Sequence, residues 1–134
     1  MHFQSVFKIK SDTRYLTPLR EWISSVQKLV DENDFPKKAL LPCSMALVEA
    51  VDNAIFHAHD GVEDLPIEIS LVLSDGSIVM EVTDKGVGIG EPVIPGPDEM
   101  ADHGRGLFII HQVMSKVESK IVDGTHHMRM EYKL

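Results

Sequence analysis

The pattern of apolar residues predicts an α+β fold. It is a two-layer α/β sandwich, with a mainly antiparallel sheet covered on one face by about three helices. Three observations carry this. Alternating strand patterns come in adjacent pairs around short turn signals, helical patterns are few and long, and strand and helix do not alternate as a doubly wound parallel sheet requires. With 134 residues, 43% of them hydrophobic and 25% charged, the chain has the size and composition of one globular domain spanning 1–134.

The elements follow in order. From Phe3 to Lys10, Phe3, Ser5, Phe7 and Ile9 alternate with Gln4, Val6, Lys8 and Lys10, which predicts a strand. Ser11-Asp12-Thr13 offers helix-capping side chains. Leu16, Leu19, Ile23, Val26 and Val30 then recur at three- and four-residue steps, predicting a helix over about 12–32 with Pro18 in its early part and Asn33-Asp34 as its stop. A second helix is expected over about 36–59, with Pro42 either opening its regular part or kinking it. Its apolar face is read as Leu41, Val48, Val51, Ile55 and Ala58, and Asp60-Gly61 closes it. Ile67 to Leu73 and Ile78 to Asp84 alternate as two strands around the Asp75-Gly76 hairpin signal. Pro92, Pro95 and Pro97 make the stretch from Glu91 to His103 a loop. A third helix is expected over about Leu107–Val117, followed by a hairpin of about 117–122 and 126–133 around Asp123-Gly124. Met45, Met80 and Met114 fit core positions.

Charge and composition exclude several roles. Thirteen basic and 21 acidic residues give a formal charge of −8, against the basic face that a general nucleic-acid binder needs. No apolar run approaches the ~18 residues that span a bilayer, so no membrane contact is expected. The opening residues Met1 to Ser5 lack the basic region and apolar core of a signal peptide. Cys43 is the single cysteine, which fits a reducing cytoplasm.

Four features could carry chemistry. Glu49, Asn53 and His57 stand at four-residue steps and share one helix face. A carboxylate beside an amide oxygen suits a hard cation such as Mg²⁺, and a carboxylate can act as general base. Taken alone, such a stripe is more often a solvated polar face than a site. Asp84-Lys85-Gly86-Val87-Gly88-Ile89 places a carboxylate at a strand end, then glycines that let backbone approach a flat ligand. A carboxylate there can accept a hydrogen bond from an exocyclic amine; alone, the segment is also a plain turn. Gly104-Arg105-Gly106-Leu107 opens a helix, where backbone N–H groups and a guanidinium favour phosphate; the bland alternative is a glycine-rich hinge. It is neither a Walker A loop nor a Rossmann fingerprint. Gly124-Thr125 is by itself a turn with a hydroxyl. His57 and His59, and His126 and His127, diverge at their spacings, so no structural zinc site is expected.

The order and spacing of these features resemble the GHKL (Bergerat-fold) ATPase superfamily, which includes gyrase, MutL-type ATPases and histidine kinase catalytic domains. Glu49, Asn53 and His57 match its N-box, Asp84-x-Gly86-x-Gly88 its G1 box, Gly104-x-Gly106-Leu107 its G2 box, and Gly124-Thr125 a G3-like box. The short leading strand and helix and the segment His103 to Ile110 look most like the RsbW-like anti-sigma-factor serine/threonine protein kinases of bacteria. The resemblance implies ATP and Mg²⁺ as cofactors. Asn53 would hold Mg²⁺, and Glu49 would be the catalytic base acting on a serine hydroxyl of a partner. His57, Asp84, Gly86, Gly88, Ile89, Gly104, Arg105, Gly106, Leu107 and Thr125 would line the nucleotide site, with Asp84 on the adenine amino group and Thr125 nearby. Residues from about 90 to 103 would be an ATP lid. The implied partners are a STAS-type anti-sigma-factor antagonist carrying the acceptor serine, a competing sigma factor, and a second copy of the chain in a homodimer. His103 stands where a further glycine is frequent in the family. Asp52 adds a carboxylate beside the Glu49 stripe, either weakening the hold on ATP·Mg²⁺ or helping to hold the metal. Phosphoryl transfer asks mainly for positioning and charge neutralisation, and a chain of charge −8 must supply local positive potential for a polyanion. The alternative function is a catalytically weak nucleotide-binding module that acts by protein sequestration only.

Overall fold

The computed structural model describes residues 2–32, 37–59, 65–85 and 105–134. Among the described residues five strands and three helices run in the order β1 (Phe3–Lys10), α1 (Leu16–Glu32), α2 (Leu40–His59), β2 (Pro66–Leu73), β3 (Ser77–Asp84), α3 (Arg105–Val113), β4 (Lys116–Val122) and β5 (Thr125–Lys133). One-turn 3₁₀ helices at Thr13–Tyr15 and Lys37–Ala39 lead into α1 and α2. The sheet order is β1-β2-β3-β5-β4 and every pairing is antiparallel. This is the predicted α+β architecture.

Two-residue periodicity puts one sheet face inward. Ile67, Ile69, Leu71 and Leu73 of β2, Ile78, Met80 and Val82 of β3, and Met128 and Met130 of β5 are all buried. Leu19 and Val26 of α1, Leu47 and Val51 of α2, and Leu107 and Ile110 of α3 close over them in one cluster. Ala46, Ala50 and Ala54 of α2 are buried in the same layer. Their small side chains, at four-residue steps, let the helix approach β3 and α3 closely. Cys43 is also buried, which pushes its thiol up to about 12 and leaves it protonated.

Polar contacts fix the edges of this sandwich. The Asp12 carboxylate accepts from the Arg14 backbone N–H at 2.8 Å and caps the turn before α1, as the sequence suggests. The Ser11 N–H donates to the Leu65 carbonyl at 2.8 Å and the Leu65 N–H donates to Ser11 Oγ at 2.9 Å, tying the end of β1 to the start of β2. Trp22 of α1 stacks on Phe7 of β1 with ring centroids 5.3 Å apart, while its Nε1–H donates to Ser5 Oγ at 3.0 Å.

Several expectations need correction. The first helix is regular only from Leu16, after the 3₁₀ turn. Pro18 and Pro42 are each third in their helices, where no intrahelical donor is lost, so neither breaks its helix. The third helix ends at Val113 rather than Val117, and β4 begins at Lys116. Leu41 is 69% exposed and Met45 41% exposed, so neither belongs to the core. The buried face of α2 keeps the predicted Val51 and Ile55 and adds Cys43, Ala46, Leu47, Ala50 and Ala54. Both hairpins fall where Asp-Gly signals stand. Of the two, Asp123 and Gly124 take positive φ, 52° and 77°, the geometry that favours Asp-Gly in a two-residue turn. Among the described residues no helix is long and apolar enough to cross a membrane.

Leu47 and Leu41 occupy the same helix with opposite surroundings. Leu47→Ala is expected to cost about 2–5 kcal/mol in urea unfolding. Leu41→Ala should stay within about 0.5 kcal/mol of the parent. Equal costs would overturn this account of which face of α2 packs on the sheet.

Candidate functional site

The small side chains that draw α2 onto the sheet also create a hollow there. Ala50, Asn53 and Ala54 of α2, Val82 and Asp84 of β3, Leu107 of α3, and His126 and Met128 of β5 line it. Its empty space is about 310 Å³, open solvent at the mouth included. The walls are mostly apolar, and three polar side chains converge in it: Asn53, Asp84 and His126.

Each has a structural reason for its place. Asn53 follows Glu49 by four residues on α2, one turn further along the same face. It is 8% exposed, and its Nδ2 has no hydrogen-bond partner among the described residues. Burying an unsatisfied amide costs about 1–3 kcal/mol. A half-turn of the carboxamide exchanges its nitrogen for its oxygen, so this position can offer either a donor or an acceptor to the hollow. Asp84 ends β3 on the buried side of the pleat and is 3% exposed. The strand register sets it opposite His126 of β5, and its Oδ2 lies 3.2 Å from His126 Nδ1. The other nitrogen of that ring is 2.5 Å from Ser119 Oγ of β4.

Glu49 is half-buried one turn before Asn53. Burial, and after it the nearby Asp52 carboxylate, hold its carboxyl above the ordinary glutamate value. Asp52 itself is exposed, so it acts on Glu49 as a like charge near solvent.

The structure therefore brings Asn53, Asp84 and Leu107 together, with Glu49 on the adjoining turn. Thr125 begins β5 but does not line the hollow; the next residue, His126, does. Strand alternation places Thr125 with His127, and His127 Nδ1 lies 3.2 Å from Glu81 Oε1. His57 falls within α2, and Arg105 and Gly106 within α3. The side chains of His57 and Arg105 lie outside the described residues, as do Gly86, Gly88, Ile89, Gly104 and the segment 90–103. Sequence reasoning weighed His126 only as a metal ligand and did not single out Ser119. The signal that finds both is the register of three strands, which requires β3, β5 and β4 to be paired first.

The raised proton affinity of Glu49 has a signed consequence. The folded chain binds this proton more tightly than the unfolded chain does. The charged form therefore costs stability above the folded pKa, and the cost fades as the pH falls below the ordinary glutamate value. Glu49→Gln should melt above the parent at about pH 7.5, with the difference closing by about pH 4. Asp52→Asn should move the Glu49 carboxyl titration downward in an NMR experiment. An unmoved titration would remove Asp52 as a cause.

Comparison with known proteins agrees with this architecture. The chain is similar to an anti-sigma F factor of Clostridium botulinum strain Eklund 17B, 27% identical over 141 residues that cover 99% of this chain and 93% of that one. It is similar to an anti-sigma F factor of Geobacillus thermodenitrificans, 26% identical over 133 residues, covering 93% and 86%. A crystal structure of the RsbU and RsbW domains of a Mycobacterium tuberculosis protein superposes with a TM-score of 0.62 at 15% identity, over 97% of this chain and 32% of that one, a likeness of fold. The family model described as the histidine kinase-like ATPase domain matches residues 9–132. The chain belongs to the histidine kinase-like ATPase domain family, the GHKL type.

Proposed function

We propose that this chain is an ATP-dependent protein serine/threonine kinase that acts as an anti-sigma factor in a bacterial partner-switching pathway. The carrying observation is the buried Asn53 carboxamide, with an amide end that lacks a partner among the described residues, set in one hollow with Asp84. Family membership supports a nucleotide as the ligand of that hollow. Similarity to anti-sigma F factors supports the pathway.

On this reading residues 1–134 form one nucleotide-binding kinase domain. Asp84 accepts a hydrogen bond from the adenine amino group, and Leu107 and Met128 pack beside the base. The start of α3, with Gly104, Arg105 and Gly106, binds the phosphates through N–H groups and a guanidinium. Gly86, Gly88 and Ile89 carry backbone past the base, His57 and Thr125 belong to the outer site, and about 90–103 form the lid. A carboxamide oxygen with a neighbouring carboxylate fits a hard cation that keeps most of its waters. Asn53 would hold Mg²⁺, which supplies neutralisation of phosphate charge.

Glu49 is the general base. It takes the proton of a serine hydroxyl on the antagonist as that oxygen attacks the γ-phosphorus and the bond to the ADP oxygen breaks. A carboxyl with raised proton affinity suits this step better than an ordinary one, because its basicity lies nearer the working pH. The proposed partners are a STAS-type antagonist, a sigma factor and a second copy of the chain, with the cytoplasm as location.

Calorimetry with ATP, with and without Mg²⁺, tests the site. Micromolar Mg²⁺-dependent binding is expected for the parent, and its loss in Asn53→Ala and Asp84→Asn. Glu49→Ala should retain binding and slow phosphorylation of the antagonist serine by about 10²–10⁴-fold. Transfer at the parental rate would remove Glu49 as the base. A parent that binds nucleotide and sequesters partners without transfer would instead support a module acting by sequestration only.

A further inference from the structure

Asp84 does not enter the hollow alone. It is the inner end of a chain of three side chains from three adjacent strands: Ser119 of β4, His126 of β5 and Asp84 of β3. The ladder sets Asp84 directly opposite His126. His126 lies opposite Ile121, and Ser119 two residues further along β4 is its diagonal neighbour on the same face. The distances are 2.5 Å from Ser119 Oγ to His126 Nε2 and 3.2 Å from His126 Nδ1 to Asp84 Oδ2.

With the Asp84 carboxyl ionised and the His126 ring neutral, the chemistry of the three groups fixes the direction of both bonds. A carboxylate can only accept, so the hydrogen sits on Nδ1 and is donated to Asp84. In the neutral ring Nε2 is then the acceptor, and the Ser119 hydroxyl donates to it. Each donor along the chain thereby meets an acceptor. The His126 side chain is 21% exposed and the Asp84 side chain 3%. Asp84 is thus the buried end, and it receives a donor from within the protein.

We propose that His126 is a positioning residue of the nucleotide pocket: held by Ser119, it orients the Asp84 carboxylate as an acceptor and thereby sets preference for a purine bearing an exocyclic amine. The inference rests on the nucleotide reading above and deepens it. A base with a carbonyl at that edge would set two acceptors against each other, at the cost of an unpaired buried group. That discrimination requires a carboxylate that cannot turn away, and the His126 N–H supplies the restraint.

Two measurements test it. The first is imidazole ¹⁵N NMR of the ligand-free chain, where His126 should show the Nδ1–H tautomer. An Nε2–H tautomer would overturn the proposal without reference to any nucleotide. The second compares ATP with inosine triphosphate, which carries a carbonyl in place of the amine. His126→Ala should lower the ATP preference by about tenfold, the value of one hydrogen bond to a charged group. His126→Asn, whose amide N–H can sit where Nδ1–H does, should restore it, and Ser119→Ala should show a smaller loss. An unchanged ratio in His126→Ala, or equal loss of both nucleotides with no rescue by Asn, would assign His126 to the fold alone. If Asp84→Asn abolishes ATP binding in that case, the nucleotide reading stands while the positioning role falls. Should His126→Ala not fold, the Asn and Ser119 variants carry the same comparison. A parent that binds neither nucleotide would overturn both readings.

Discussion

The close approach of α2 to the sheet is the constraint on which the rest depends. Ala46, Ala50 and Ala54 form a line of minimal side chains against β3, while Leu47 and Val51 fill the space to either side. Larger residues along that line would push the helix outward and open the layer that Met80, Val82 and Met130 close from below. The same small residues leave the hollow at the end of the layer. One packing decision therefore creates both the core and the site, and it explains why polar side chains sit at the boundary of an otherwise apolar layer.

Buried polar groups there carry a cost that packing does not repay. Asp84 meets this cost with a donor across the sheet, and Asn53 keeps an amide end without one among the described residues. An apolar residue at either position would suit the fold alone. Among the described residues the departure from what stability favours lies at the hollow, in groups whose chemistry suits an amine and a hard cation. That is why the hollow, rather than the apolar pocket between α1, α2 and the sheet, is the candidate site. The apolar pocket is lined by Val26, Cys43, Leu47 and Leu71 and offers a ligand little to recognise.

Much of this was legible in the sequence, and the parts that were not share a cause. Strands β2 and β3 show their inward faces in plain alternation, and the turns between strands carry Asp-Gly. The Glu49 and Asn53 spacing is helical, and the structure keeps both on α2. What failed was information about neighbours. Leu41 and Met45 look like core by type but face outward, because the contact line runs through Ala46, Leu47, Ala50, Val51 and Ala54 instead. Thr125 is adjacent to Gly124, yet β5 turns His126 inward, and only the pairing of β5 with β3 across 42 residues of sequence makes that visible. Residue type and period are local; which face meets what is not.

The two carboxylates of the region show how such neighbours divide labour. Asp84 is given an N–H by His126 and is enclosed by β3, β5 and α3, surroundings that hold an acceptor in one orientation. Glu49 is half-buried on α2 with Asp52 as a like charge, and its affinity for a proton is raised. Groups of the same chemistry are thereby separated into one that recognises and one that can take up a proton. Recognition needs rigidity, which a three-strand ladder supplies. Proton transfer needs access, which a half-buried helix face supplies. On the proposed function, loss of the first removes ligand binding, whereas loss of the second leaves a chain that still binds. The catalytic and sequestering readings then differ by one side chain rather than by the fold.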